Sequence, residues 1–210
     1  MTPEHLPRRP SFASYYSGLL GGRVFRWLDW AKIRVLERVI DRRPGLRRVV
    51  DLGCGSGGIA ARLAAQRPGL LIVGLDHTLA LLREARARGV RVVLADFEKR
   101  LPFADGQVDA IVMADTIEHS ESPRTIVAEA RRLLAPGGVF VVFTPPYDTL
   151  AWLVGERIHR ILTHRPADHI SPFTRESLVH LLRSNFTEWE VGIVNFGLTM
   201  YGIGSSQRPE

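Results

Sequence analysis

The chain has a single cysteine, Cys54, in 210 residues. That excludes an internal disulfide and fits a reducing cytoplasm, the compartment expected for this sequence. Long apolar runs are also lacking. The longest, such as Val139 to Phe143, are of strand length, so no transmembrane segment is expected. Met1 to Pro10 carries charges and prolines but no apolar h-region, so no signal peptide is expected either. Lysine is scarce: Lys32 and Lys99 are the only two, although lysine and arginine together number 28. The net charge of +6 invites a nucleic-acid or acidic-membrane reading. An arginine bias spread along the whole chain argues instead for background composition, and no nucleic-acid partner is expected. The one dense stretch, Lys32, Arg34, Arg38, Arg42, Arg43, Arg47 and Arg48, reads as a solvated helix face. Internal repeats and low-complexity tracts are absent.

Hydrophobic residues make up 45% of the chain, enough to bury a real core. The length fits one domain with a small helical cap. Val24, Leu28, Ala31, Val35 and Val39 give one apolar face to a helix over about Val24 to Ile40. Strand-like and helix-like segments then alternate, which predicts an α/β doubly wound parallel sheet with helices on both faces. The strands are Arg48 to Leu52, Leu70 to Leu75, Val90 to Ala95, Val108 to Ala114 and Val139 to Thr144. Helices are expected over Ile59 to Gln66, Thr78 to Arg88 and Pro123 to Leu134, the last stopped by Pro136-Gly137-Gly138. Leu150 to Leu162 reads as an amphipathic helix. Thr174 caps a helix through Arg183, and Phe186 to Val194 with Leu198 to Ile203 form a closing strand pair. The expected divisions are an N-terminal cap over 1–46, a ligand-binding core over 47–144, a variable substrate segment over 145–171, and a closing helix and strand pair over 172–204.

The chemistry begins at Asp51-Leu52-Gly53-Cys54-Gly55-Ser56-Gly57-Gly58, between the first strand and the next helix. Glycines there let the chain turn tightly and let a ligand lie against the backbone. The amides opening the helix are free donors. Gly53, Gly55 and Gly58 also satisfy the dinucleotide spacing G-x-G-x-x-G, with Asp76 about where its ribose-binding acid belongs. Asp51 favours another ligand. A carboxylate at the mouth repels a pyrophosphate and attracts a ligand carrying ammonium and sulfonium groups. The competing reading is that Asp51 ties the glycine loop to its own amides. Asp76, Asp96 and Asp115 follow the second, third and fourth strands, and ligands of open α/β sheets lie across such carboxyl ends. Asp76 offers two acceptor oxygens to a ribose, and Asp96 offers an acceptor to an adenine amino group, with Phe97 beside the ring. Each acid alone could equally be a loop or helix cap.

The blocks VVDLGCGSGGIAARLA, GLDHT, ADFEKRLPFADGQVDAIVMADTIEHSESP and EARRLLAPGGVFVVFTPP resemble, in order and spacing, the class I S-adenosylmethionine-dependent methyltransferases. The resemblance is to the small-molecule branch that includes ubiquinone and menaquinone biosynthesis enzymes. It covers about Val49 to Pro146. It implies a Rossmann-like seven-stranded sheet of order 3-2-1-4-5-7-6, strand 7 antiparallel, with S-adenosyl-L-methionine as cofactor and S-adenosyl-L-homocysteine as product. The implied cofactor residues are Asp51, Gly53, Cys54, Gly55 and Gly57 around the methionine end, Asp76 with its neighbour His77 at the ribose, Asp96 and Phe97 at the adenine, and Asp115 near the methionine part. His77 departs from the family pattern, where a small or aliphatic residue is more usual. Tyr15, Tyr16 and Arg23 fall in the region that often closes over the cofactor.

Glu118 and His119 follow the fourth strand. His119 is the candidate catalytic residue, as a general base toward a hydroxyl acceptor; a positioning role for the loop competes with it. A metal site from His159, His164 and His169 lacks a compact ligand motif, so no metal is expected. Thr144-Pro145-Pro146-Tyr147 resembles a DNA amino-methyltransferase motif but follows the wrong strand, and reads as a rigid exit. Tyr147, Trp152, Leu153 and Ile158 are expected to wall an apolar pocket. The expected acceptor is a small molecule, lipid-like if Arg157 and Arg160 face a membrane surface, and the chain is expected to be a monomer or homodimer. A methyltransferase acting on RNA or protein, a nicotinamide-dependent oxidoreductase and a cofactor-binding protein without turnover are the competing classes.

Overall fold

The computed structural model describes residues 21–163 and 169–206. Tyr15, Tyr16 and His164 lie outside the described residues, so the histidine set that was set aside as a metal site falls partly outside them. The elements are α1 (Gly21–Asp41), β1 (Arg48–Leu52), α2 (Gly58–Gln66), β2 (Leu71–Asp76), α3 (Leu79–Ala87), β3 (Arg91–Leu94), β4 (Val108–Ala114), α4 (Pro123–Leu133), β5 (Leu134–Thr144), α5 (Leu150–Thr163), α6 (Arg175–Arg183), β6 (Glu188–Val194) and β7 (Thr199–Ser205). Short 3-10 turns occupy Ile117–His119 and Asn195–Gly197. The sheet order is β3-β2-β1-β4-β5-β7-β6. Strands β1 to β5 pair in parallel, and β7 runs antiparallel to both β5 and β6. This is the order expected of the resemblance. Among the described residues no helix is long and apolar enough to cross a membrane.

Alternating side chains of the strands feed two cores. Ile111 and Met113 of β4 pack on the face covered by α4 and α6, with Ile126, Leu133, Leu178 and Leu182. Ala110 and Val112 pack on the other face, against Ile33, Leu36 and Val39 of α1 and Ala60 and Leu63 of α2. Side chains of this size each stabilise the fold by roughly 1.5–3 kcal/mol when fully buried. Burial on both faces explains why the parallel strands read as continuous apolar runs. Thr174 accepts from the Ser177 amide, and the Ser177 hydroxyl receives the Thr174 amide in return, a reciprocal cap that starts α6 where the sequence placed it.

Two expectations are corrected. Strand β5 begins at Leu134, not Val139, and Pro136-Gly137-Gly138 lies inside it. Leu134 pairs with Val108 and Val139 with Ala110, so five steps of β5 match two of β4. The proline-glycine cluster forms an irregularity in the ladder, which Gly137 permits with φ of 76°. The second correction is Lys32. It is not part of a solvated helix face: it is only 3% exposed and forms an ion pair with Asp115. Burial works against its ammonium, but Asp115, aided by Asp29 and Glu118, holds its pKa above the ordinary value.

Replacing Lys32 by Met leaves these acids without their cation. We expect a stability loss of roughly 2–3 kcal/mol at pH 7.5, short of a fully buried pair because Asp115 is half exposed. Urea titrations of the wild type and the variant at pH 7.5 measure the difference. A second site tests the sheet. A Cβ on Gly204 would meet the Phe186 ring at 2.3 Å, and that ring stacks on Phe140 at 6.0 Å. Gly204→Ala should therefore cost about 1–3 kcal/mol by overpacking, seen as a lower urea midpoint at unchanged slope.

Candidate active site

The candidate site is the rim formed by the carboxyl ends of β1, β2, β3 and β4. At the end of β1 the chain turns through Gly53, Gly55 and Gly57, all with positive φ (72°, 52° and 78°). The amides of Gly53 and Cys54 donate to the Leu75 carbonyl at 2.8 and 3.0 Å, which pins the turn to β2. Gly53 is obligatory twice over: a Cβ would lie 2.2 Å from the Thr116 side chain. Gly57 is the left-handed cap of α2, and a Cβ there would meet Ala85 at 2.8 Å. Gly55 differs: no atom lies within 4 Å of where its Cβ would stand. Its backbone is the part of the turn that a ligand can approach.

The acids at the rim divide the work. Asp76 Oδ2 accepts from the Gly55 amide at 2.9 Å, and Oδ1 accepts from the Thr78 amide at 2.8 Å. The loop-tying role weighed for Asp51 thus belongs to Asp76, whose oxygens each keep a further lone pair. Asp51 is 4% exposed and forms no ion pair among the described residues. Burial, with Asp76 adding, pushes its pKa up to about 7. The Cys54 thiol sits beneath the turn, where a Cβ on Gly74 would meet it at 2.7 Å. Burial, with Asp51 and Asp76 adding, raises its pKa, so it stays a protonated packing group.

After β3, Asp96 accepts the Glu98 amide at 3.0 Å and pairs with Lys99 at 3.2 Å. The amide and the Lys99 ammonium hold its carboxylate below the usual range. Phe97 is buried beside it, with the His77 ring edge-on at 6.0 Å. The His77 side chain is 66% exposed and 4.0 Å from Asp76. It stands at the rim as an accessible neighbour. After β4, Asp115 adopts φ of 49°, strained for a residue with a side chain. Its amide donates to the Phe143 carbonyl at 3.0 Å, and Lys32 engages its carboxylate.

The next turn carries Glu118 and His119. Glu118 is 1% exposed; Oε2 accepts the Thr144 hydroxyl at 3.2 Å, and Oε1 has no hydrogen-bond partner among the described residues. Burial, then Asp115, raises its pKa to about 8. The His119 ring meets His169 edge-on at 4.9 Å, and Nδ1 of His169 is 2.5 Å from the Tyr147 hydroxyl. Trp152 stacks on His169 at 5.8 Å and contacts Tyr147 at 5.6 Å. Tyr147 and Trp152 thus pack together around His169, whereas Leu153 and Ile158 are about half exposed. Sequence reasoning missed Lys32 and the approach of His169 to His119. A groove of about 890 Å³ occupies the opposite rim, lined by Arg42, Arg43, Asp109, Pro136 and Glu190 among others. Its charges are of mixed sign and it lies where the strands begin, away from the acids.

Residues 50–142 match the family model described as "Methyltransferase domain". Among curated proteins, a demethylmenaquinone methyltransferase of Thermus thermophilus is 34% identical over 126 residues, covering 57% of this chain and 56% of its own length. An uncharacterized 37.1 kDa protein in a transposon of Streptomyces fradiae is 36% identical over 122 residues, covering 55% of this chain and 35% of its own. The chain thus spans between about a third and just over half of these relatives. A solved structure from Thermotoga maritima, a S-adenosylmethionine-dependent methyltransferase described as a possible histamine N-methyltransferase, superposes with a TM-score of 0.74. It is 21% identical and covers 93% of this chain and 96% of its own, a likeness of fold. Residues 50–142 thus resemble a methyltransferase domain, carried on a seven-stranded sheet of order β3-β2-β1-β4-β5-β7-β6 with a glycine turn after β1.

Proposed function

We propose that the chain transfers a methyl group from S-adenosylmethionine to a small-molecule acceptor. The observation that carries this reading is Asp51: a buried carboxylate, unpaired with any cation among the described residues, at the end of β1 that leads into the glycine turn. A dinucleotide pyrophosphate would meet two acids there, Asp51 and Asp76. An ammonium-bearing ligand would supply the charge that Asp51 lacks. The donor set therefore fits S-adenosylmethionine and argues against a nicotinamide cofactor.

In this reading Gly53, Gly55 and Asp51 hold the amino-acid end. Asp76 offers its remaining lone pairs to the ribose, and Asp96, Phe97 and His77 border the base. Asp115, fixed by Lys32, stands beside the reacting end. When bound, the cofactor supplies a methyl group on sulfonium, already activated for in-line displacement. The chain's own contribution is to align the acceptor and exclude water, and alignment can lower a barrier by up to about 7–11 kcal/mol in well-ordered cases. Tyr147 and Trp152 form the apolar wall that would exclude water. His119 lies close enough to this wall to act on an acceptor proton or to position the turn.

Several arginines of the basic stretch are answered locally. Arg34 pairs with Glu37, Arg38 with Glu190 and Arg48 with Asp109, which supports a small acceptor over a nucleic acid. Relatives named for menaquinone, malonyl-[acyl-carrier protein] and trans-aconitate methylation support the same class.

Asp51→Asn should weaken donor binding by about 1.5–3 kcal/mol, or roughly 10- to 150-fold, the worth of a hydrogen bond to a charged group. The wild-type affinity should rise from pH 5.5 to 7.5 and then level. Asp51 is partly protonated below about 7, a cationic ligand favours its ionised form, and binding therefore releases a proton. Calorimetry at several pH values measures this slope, and Asp51→Asn should flatten it. A slope of opposite sign, or tighter binding of a nicotinamide dinucleotide, would overturn the reading. Incubation with isotopically labelled donor and fractionated metabolites then identifies the acceptor.

A further inference from the structure

Glu118, His119 and His169 converge at the carboxyl ends of β4 and β5, with one donor atom of each within 4.8 Å of the other two. Ligands about 2.0–2.2 Å from an ion stand at most roughly 4.4 Å apart, so small side-chain rotations bring the three donors onto one centre. Their positions are set by backbone. The Glu118 carbonyl accepts both the Ile170 and Ser171 amides at 2.9 Å, and the Ser171 hydroxyl donates to the Ser120 carbonyl at 2.7 Å. These bonds staple the segment carrying His169 to the turn carrying Glu118 and His119.

The side chains are equally constrained. Tyr147 holds the His169 ring through Nδ1, and Trp152 stacks on its face. An outer hydrogen bond of this kind orients a ligand imidazole. Thr144 holds one oxygen of Glu118, and Oε1 is buried with no hydrogen-bond partner among the described residues, a costly state for a buried polar atom that a cation would relieve. Lys32, the nearby buried cation, is taken by Asp115.

We propose that Glu118, His119 and His169 form a mononuclear site for a divalent transition cation of the zinc, cobalt or iron class, with coordination positions left open for an oxygen of the acceptor. Two imidazoles and one carboxylate select such ions over magnesium and calcium, which take oxygen ligands. Three protein ligands with open positions are the pattern of sites that take a substrate. The acceptor is then a molecule presenting a hydroxyl or carboxylate oxygen. That last part rests on the methyl-transfer reading above; the ion site does not.

The test is titration of chelator-treated full-length protein with cobalt(II), followed by its visible absorption, with zinc as competitor. We expect one equivalent to bind, a tenfold or greater weakening in Glu118→Gln and in His169→Ala, and no change in His159→Ala. Donor binding is measured by calorimetry on the same samples, and thermal melting checks that each variant is folded. Wild-type protein that binds the methyl donor but no cobalt at millimolar concentration overturns the ion site alone. Cobalt bound equally well by wild type and a folded His119→Ala/His169→Ala double variant also overturns it. Cobalt binding without donor binding overturns the methyl-transfer reading and leaves the ion site standing.

Discussion

Carboxylates buried at the ends of parallel strands are the constraint around which this molecule is arranged. A buried acid is costly unless donors or a cation meet it, and the rim meets each one differently. Asp76 is satisfied by the amides of Gly55 and Thr78. Asp115 is met by Lys32. Asp96, about as exposed as Asp115, is met by Lys99 and an amide. Asp51 alone is buried beside the open turn with no such partner among the described residues, and it is where the charge balance is left to a ligand. The same accounting singles out Glu118, whose second oxygen is unanswered.

Holding those acids in place takes elements far apart in the chain. The glycine turn leans on β2 through Leu75 and on the β4 loop through Thr116. Helix α1 contributes Lys32 from the opposite layer. The exit of β5 is joined to the start of α6 through the Pro146–Phe173 bridge and the Tyr147 amide. Tyr147 and His169 meet because of that join. The apolar wall and the histidine pair are therefore parts of one packed unit rather than of two loops that happen to be close.

The doubly wound core was legible because its signals are local. Apolar runs of strand length, a reciprocal cap at Thr174 and acids at strand ends can all be read within a few residues of each other. The early start of β5 was not, because Pro136-Gly137-Gly138 punctuates a helix end and a ladder irregularity alike; only the pairing of Leu134 with Val108 separates them. Lys32 was hidden for a similar reason. In a run of basic residues its spacing matches a solvated face, and its burial depends on Asp115, far along the chain. Asp51 and Asp76 were singled out as candidates, but which of them ties the loop depends on side-chain geometry that spacing does not carry. The meeting of His119 with His169 is likewise non-local, set by backbone bonds from Glu118 to residues 170 and 171.

Strand β7 comes after every other strand in the chain yet lies inside the sheet, between β5 and β6. Strand β6 can join only through it. During synthesis the flank of β5 therefore stays uncovered until Ser205 has left the ribosome, although the four strands before it can already pair. An open, apolar strand edge is a template for pairing with other chains. The interval between completing the parallel half and docking the final hairpin is thus the stage at which this edge is open to pairing with other chains.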